Sequence, residues 1–237
     1  MSLTLVATPI GNNQDISLRA LEILKNADII IVEEFKESTR ILRAHNINEN
    51  KSNPCYEQLN EHTTSEELER LATLCNEHNV ALITDCGTPG FCDPGAHLVQ
   101  KCRQKKIPVY TAPGASSLMG LLSLSSQRID QFIFRGFIPA ENEARLTALK
   151  ELSRESNAFV IMDTPYRFQK MLQEIKTHMP ERKILLTIDL TQETEQIHEG
   201  TVENILKKSL PTKAEFMILV YANESANKAP AQQVRKK

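Results

Sequence analysis

The run Leu82-Ile83-Thr84 passes without a break into Asp85-Cys86-Gly87-Thr88-Pro89-Gly90-Phe91-Cys92-Asp93-Pro94-Gly95, so an apolar strand ends in a turn holding three Gly, two Pro and two Asp. Gly permits positive φ and the close approach of another molecule, Pro fixes φ and removes a donor, and a carboxylate beside exposed amides can orient a polar or cationic ligand. A loop of this composition suits holding a ligand by its backbone. Taken alone, it also suits an ordinary strand-to-helix connection.

Two further strand ends carry loops of the same kind. Leu3-Thr4-Leu5-Val6-Ala7-Thr8 runs into Pro9-Ile10-Gly11-Asn12, and Val109-Tyr110-Thr111-Ala112 runs into Pro113-Gly114-Ala115-Ser116-Ser117. In open α/β sheets ligands gather at the carboxyl ends of strands, so three such loops argue for one shared cleft.

Periodicity places these loops in a repeated strand–helix alternation: strand 3–8, helix 15–26, strand 28–33, helix 37–46, an irregular stretch around Pro54, helix 64–78, strand 80–84, helix 94–105 and strand 107–111. This predicts an α/β fold with a mostly parallel sheet and helices on both faces. After a helix at 115–124, the alternation resumes with strand 132–137, helix 141–155, strand 157–163, helix 166–177, strand 183–189, helix 201–208 and strand 214–222. The expected organisation is an N-terminal α/β domain at 1–113, a C-terminal α/β domain at 114–225 and a disordered basic tail at 226–237.

Composition narrows the chemistry. The apolar stretches fall far short of a membrane span and the start lacks a charged segment leading into an apolar one, so cytoplasmic residence is expected, with no membrane partner. Five Cys without a Cys-x-x-Cys pair, and six His without ligand spacing, point away from disulfides and metal; Cys86 and Cys92 read as packing residues rather than reactive thiols. A net charge of −2 excludes a generally basic surface, so DNA is not expected and any RNA contact is local. Neither a Walker loop nor G-x-G-x-x-G occurs, and no nucleophile or obvious acid/base pair stands out, so the site needs a cofactor.

Several of these segments carry a resemblance. Val6-Ala7-Thr8-Pro9-Ile10-Gly11-Asn12 with Asp15-Ile16-Ser17-Leu18-Arg19-Ala20-Leu21, then Asp85-Cys86-Gly87-Thr88-Pro89 with Asp93-Pro94-Gly95, Pro113-Gly114-Ala115-Ser116, Gly136-Phe137-Ile138-Pro139 and Thr164-Pro165-Tyr166-Arg167 resemble the tetrapyrrole-methylase-fold S-adenosylmethionine (SAM) methyltransferases. The likeness covers about 3–222 and is nearest to the small-subunit ribosomal RNA branch, which methylates a cytidine 2′-hydroxyl in the decoding region.

The resemblance implies a two-domain α/β homodimer with SAM in the cleft between domains and small-subunit ribosomal RNA as partner. Gly87, Thr88 and Pro89 would hold the amino-acid portion of SAM, Ala115, Ser116 and Ser117 would lie alongside, and Met162, Leu190 and Ala214 would flank the adenosine. Pro9, Gly11, Asp85 and Asp93 complete the cofactor set. The reaction is an in-line methyl transfer dominated by positioning, and a poorly nucleophilic alcohol gains from a base or a charge-stabilising group.

The chain departs from this pattern on the acceptor side. Val32-Glu33-Glu34-Phe35-Lys36 stands where the family shows Ala-Glu-Asp-Thr-Arg, and Asp163-Thr164-Pro165-Tyr166-Arg167 where it shows Glu-Ser-Pro-His-Arg. Glu34, Lys36, Arg40 and Arg167 are the acceptor-side catalytic candidates, although Glu33 and Glu34 also fit a solvated helix start, and Lys36 and Arg40 an ordinary polar helix face. Two alternatives stay open: a small-molecule acceptor such as a tetrapyrrole or corrin, and SAM binding without turnover.

Overall fold

Ile29–Val32 (β2) is apolar at every position and buried at every position. Ile29 and Ile31 pack into one hydrophobic cluster, while Ile30 and Val32 pack into another. A strand buried on both faces belongs inside a parallel sheet covered by helices. The computed structural model describes residues 1–47 and 55–223 and places β2 in such a sheet. The expected irregular stretch around Pro54 and the expected tail at 226–237 lie outside the described residues.

The chain divides into two units, the first Met1–Ser117 and the second beginning at Leu118. In the first, β1 (Ser2–Val6), β2, β3 (Cys55–Gln58), β4 (Asn79–Leu82) and β5 (Val109–Ala112) stand in the order β3-β2-β4-β1-β5, every pairing parallel. The helices are α1 (Leu18–Asn26), α2 (Phe35–Ala44), α3 (Ser65–Glu77) and α4 (Gly95–Gln104). Leu24 and Leu42 of α1 and α2 join one cluster, and Leu71 and Leu98 of α3 and α4 join the other, so both sheet faces are covered. Helix starts follow local chemistry. The Ser17 hydroxyl accepts from the Ala20 amide at 3.1 Å, and Thr64 and Glu67 form a reciprocal capping box.

α5 (Ser117–Ser123) starts at the division and leads into the second unit's β6 (Phe132–Phe137), α6 (Asn142–Ser153), β7 (Ala158–Met162), α7 (Phe168–His178), β8 (Lys183–Ile188), β9 (Gln196–Thr201), α8 (Val202–Leu206) and β10 (Phe216–Val220). The order is β6-β7-β10-β8-β9. Only β6 and β7 pair in parallel; β10 runs antiparallel to both neighbours, and β9 forms an antiparallel pair with β8. The expected mostly parallel arrangement therefore describes the first sheet and not the second. Strand–helix alternation does not encode the direction of β10, which enters between two strands already in place. Periodicity also passes over β3 and β9: both are sheet-edge strands of mixed polarity, Cys-Tyr-Glu-Gln and Gln-Ile-His-Glu-Gly-Thr, half solvated and without an apolar run.

The second unit buries a charge network beside its core. Arg145 of α6 is 2% exposed. Its guanidinium donates to Asp163 Oδ2 at 2.8 Å, to Glu174 Oε2 at 2.7 Å and to the Pro139 carbonyl at 3.2 Å. Burial acts to lower the Arg145 pKa, but the bonds to Glu174 and Asp163 outweigh it and hold the group charged. Removing one member of such a network strands the others in low dielectric. Arg145→Met is expected to destabilise the protein by about 3–5 kcal/mol, read as a lower urea midpoint at unchanged slope. Adding Asp163→Asn and Glu174→Gln to it should recover part of the loss.

Candidate active site

Because β1 lies between β4 and β5, the three Gly/Pro loops leave the first sheet side by side at its carboxyl edge. Hydrogen bonds tie them into one surface. Thr8 N donates to Gly87 O at 2.9 Å and Gly87 N returns a bond to Thr8 O at 3.1 Å, a single antiparallel bridge joining the first loop to the second. The buried Thr8 hydroxyl donates to Thr84 O at 3.2 Å, and the Thr88 hydroxyl donates to Ala115 O at 3.0 Å, joining the second loop to the third. Gly87 sits at φ +79, a conformation that disfavours side chains, and Gly114 approaches Ala7 so closely that an added Cβ would stand 3.0 Å from the Ala7 Cβ. These contacts keep 113–116 with the first unit, and the division falls after Ser117.

Asp93 organises the second loop from within. Its Oδ2 accepts from the amides of Gly90 at 2.7 Å and Phe91 at 3.2 Å, and its Oδ1 accepts from the Gly95 amide at 2.7 Å. Asp93 thus shapes the backbone that the sequence marks as a ligand cradle. A groove of about 480 Å³ runs along the same loop, lined among others by Asn60, Glu61, Cys92, Asp93 and His97. Desolvation and the Asp93 charge both raise the Cys92 thiol, which disfavours the nucleophilic thiolate.

Carboxylates gather where β2 and β4 end. The Asp85 amide donates to Glu33 Oε2 at 3.5 Å, and the Glu34 amide donates to Asp85 Oδ1 at 3.2 Å, a reciprocal clasp between the two loops. Burial raises the Glu33 carboxyl, with the charges of Asp85, Asp93 and Glu61 adding to it and the Asp85 amide opposing. Burial also raises Asp85, against the Glu34 amide and together with the charges of Glu34 and Glu37. Partly desolvated carboxylates in mutual repulsion favour a positively charged guest.

The structure brings Pro9, Gly11, Asp85, Gly87, Thr88, Pro89, Asp93, Ala115, Ser116 and Ser117 to this carboxyl edge, along with Glu34 at the start of α2 and Lys36 in its first turn. Arg40 lies one turn further on, largely exposed and paired with Glu37 at 3.1 Å. The other four residues belong to the second unit. Since β10 is antiparallel to β7 and β8, its start meets their ends, and Met162, Leu190 and Ala214 share one sheet edge. Leu190 follows Asp189, whose carboxylate accepts from the Glu215 amide at 3.0 Å and the Thr194 hydroxyl at 2.9 Å. Arg167, on the same edge, donates to Asp163 Oδ1 at 3.2 Å. Two residues the sequence reading leaves out of the site emerge as structural to it: Thr8, foreshadowed only by its place before Pro9, and Glu33, foreshadowed by a charge set directly after four buried apolar residues.

A sequence profile of the family described as Tetrapyrrole (Corrin/Porphyrin) Methylases matches residues 2–206. Among curated proteins, the chain is 34% identical over 222 residues to "Ribosomal RNA small subunit methyltransferase I" of Synechocystis sp., covering 92% of this chain and 78% of that protein. The protein of the same name from Haemophilus influenzae is 34% identical over 224 residues, covering 92% and 77%. Among solved structures, a diphthine synthase superposes with a TM-score of 0.67 at 15% identity over 93% of this chain and 90% of that one, which speaks to the fold.

Asp93→Ala removes the acceptor of three loop amides and is expected to cost about 1–3 kcal/mol, with faster hydrogen exchange at Gly90 and Gly95; Asp93→Asn, which keeps one oxygen, should lose less. For Glu33 the folded state favours the protonated carboxyl. Its stabilising contribution is therefore present below the ordinary value of 4.5 and is lost as pH rises through the raised one. Glu33→Gln should raise the melting temperature at neutral pH, with the gain shrinking as pH falls toward the ordinary carboxylate range.

Proposed function

The chain belongs to the tetrapyrrole (corrin/porphyrin) methylase family, and from that premise we propose that it transfers a methyl group from SAM to small-subunit ribosomal RNA, with a cytidine ribose 2′-oxygen as the acceptor. The observation that carries the reading is the identity, spread over nearly the whole chain, with proteins named as small-subunit ribosomal RNA methyltransferases. No helix among the described residues is long and apolar enough to cross a membrane.

The residues present fit the cofactor. SAM carries a sulfonium, and the clasped Glu33 and Asp85 carboxylates supply negative potential in a partly desolvated place. Gly87, Thr88 and Pro89, flanked by Pro9, Gly11 and Ala115 to Ser117, would hold the amino-acid portion through a backbone that the Thr8 and Asp93 bonds keep fixed. Met162, Leu190 and Ala214 would supply apolar walls for the adenosine. When bound, SAM provides the electrophilic methyl group; the protein's part is alignment and relief of charge at the acceptor oxygen. Lys36, Arg40 and Arg167 are assigned to the acceptor side, where cations favour phosphates, and Glu34 to the same side as its one carboxylate. The proposal includes a homodimer, supported by exposed apolar side chains on edge strands in each unit, Tyr110 on β5 and Phe132 and Ile133 on β6.

Small ribosomal subunits from a strain lacking this protein are expected to accept labelled methyl from SAM, with the label mapping to a cytidine 2′-oxygen in the decoding region. Calorimetric binding of SAM without any label on the subunits would overturn the RNA assignment. Label on a tetrapyrrole or corrin ring instead would move the acceptor to a small molecule. Gly87→Val, which places a branched side chain at φ +79, should weaken SAM binding by at least about tenfold, corresponding to roughly 1.4 kcal/mol.

A further inference from the structure

Of the described Phe and Tyr side chains Tyr166 is the most exposed, at 80%. It sits in the turn between β7 and α7, where Pro165 fixes the backbone and the Arg167 amide closes onto the Thr164 carbonyl at 2.9 Å. The ring is engaged on one side: the Lys213 ammonium stands over it, 3.8 Å from the centroid. Lys213 itself is exposed and immediately precedes Ala214. Arg167, next in sequence to the ring, keeps 31% of its side chain exposed while bound to Asp163. An aromatic face, a cation stacked on it and a second cation from the next residue are thus carried on the sheet edge that holds Met162 and Ala214.

Isolated exposed apolar groups are common and call for no role. This ring differs because its backbone is fixed, one cation stands over it and a second belongs to the next residue of the turn, the combination by which single-stranded nucleic acid is held: a π face stacks an unpaired base, and nearby cations take the phosphates. We infer that Tyr166, with Lys213 and Arg167, forms a stacking platform for an unpaired nucleobase of single-stranded RNA. The inference rests on the RNA reading above and adds to it the contact that grips the strand. Asp163 keeps its bond to Arg145 through its other oxygen when Arg167 also meets a phosphate.

The test is binding of a labelled single-stranded oligocytidylate by fluorescence anisotropy, with calorimetric SAM binding measured on the same proteins. Tyr166→Ala should weaken oligonucleotide binding by about 5- to 100-fold, and Tyr166→Phe should stay within about twofold of the parent. Lys213→Ala should flatten the slope of log affinity against log salt by about 0.7, the value for one phosphate contact on a single strand. SAM affinity and melting temperature should stay unchanged in all three. Undiminished oligonucleotide binding by Tyr166→Ala overturns the inference. So does a loss of SAM affinity in its place, which would assign the ring to the adenine. Weaker association with whole small subunits but not with the free strand would assign it to a protein contact, and also overturns it. The RNA reading fails separately, if the parent protein labels no subunit RNA whatever its grip on the oligonucleotide.

Discussion

The two backbone hydrogen bonds exchanged by Thr8 and Gly87 are the point on which the first unit's site depends. Parallel strands deliver their ends to one edge but leave the loops beyond that edge unconnected, because the ladder bonds stop with the strands. Thr8 and Gly87 add a single pairing beyond the strand ends, in the opposite sense, with Gly87 at a positive φ. The Thr8 hydroxyl also donates to the Thr84 carbonyl, tying the strand end to the same loop. Fixed in this way, the loop can present its backbone to a ligand without first ordering it, and a preorganised backbone loses less entropy on binding.

Carboxylates and loops at this edge work against each other in a useful direction. Glu33 and Asp85 are held together by each other's neighbouring amides although their charges repel. A protein that stabilised itself alone would separate or neutralise them. Under the proposed function a cationic guest would relieve the repulsion and favour ionisation. The sulfonium of SAM has that charge, whereas an anionic or neutral cofactor would gain nothing from it.

Much of this arrangement is legible in the sequence. The Gly/Pro loops, the apolar strands feeding them and the helices between announce an open α/β sheet, because period and punctuation are local properties. Strand direction in the second sheet is not local: β10 follows α8 as a strand follows a helix in a parallel unit, yet it runs antiparallel between β7 and β8. Polar edge strands such as β9 escape notice because half their residues face water. That three Gly/Pro loops meet at one sheet edge is legible, but the partner of each residue within them is not. Asp93 sits in the ligand-type loop and spends its carboxylate on that loop's own amides. Partnerships of this kind arise only once the chain is folded.

The buried ion network gives the second unit a comparable logic. Asp163 follows directly after β7, and its two oxygens serve different ends: Oδ2 meets Arg145 inside the unit, while Oδ1 takes the Thr164 amide at 2.8 Å and Arg167 at 3.2 Å in the turn. One carboxylate therefore transmits the position of α6 to the turn bearing Tyr166 and Arg167. A buried ion pair contributes little net stability compared with apolar packing. Its contribution here is directional, since an apolar residue at 163 would pack against α6 and α7 but could neither accept from the Thr164 amide nor orient the Arg167 guanidinium. The cost of burying Arg145 is thus matched to the fixing of an exposed turn, where apolar contacts are too few to fix it themselves.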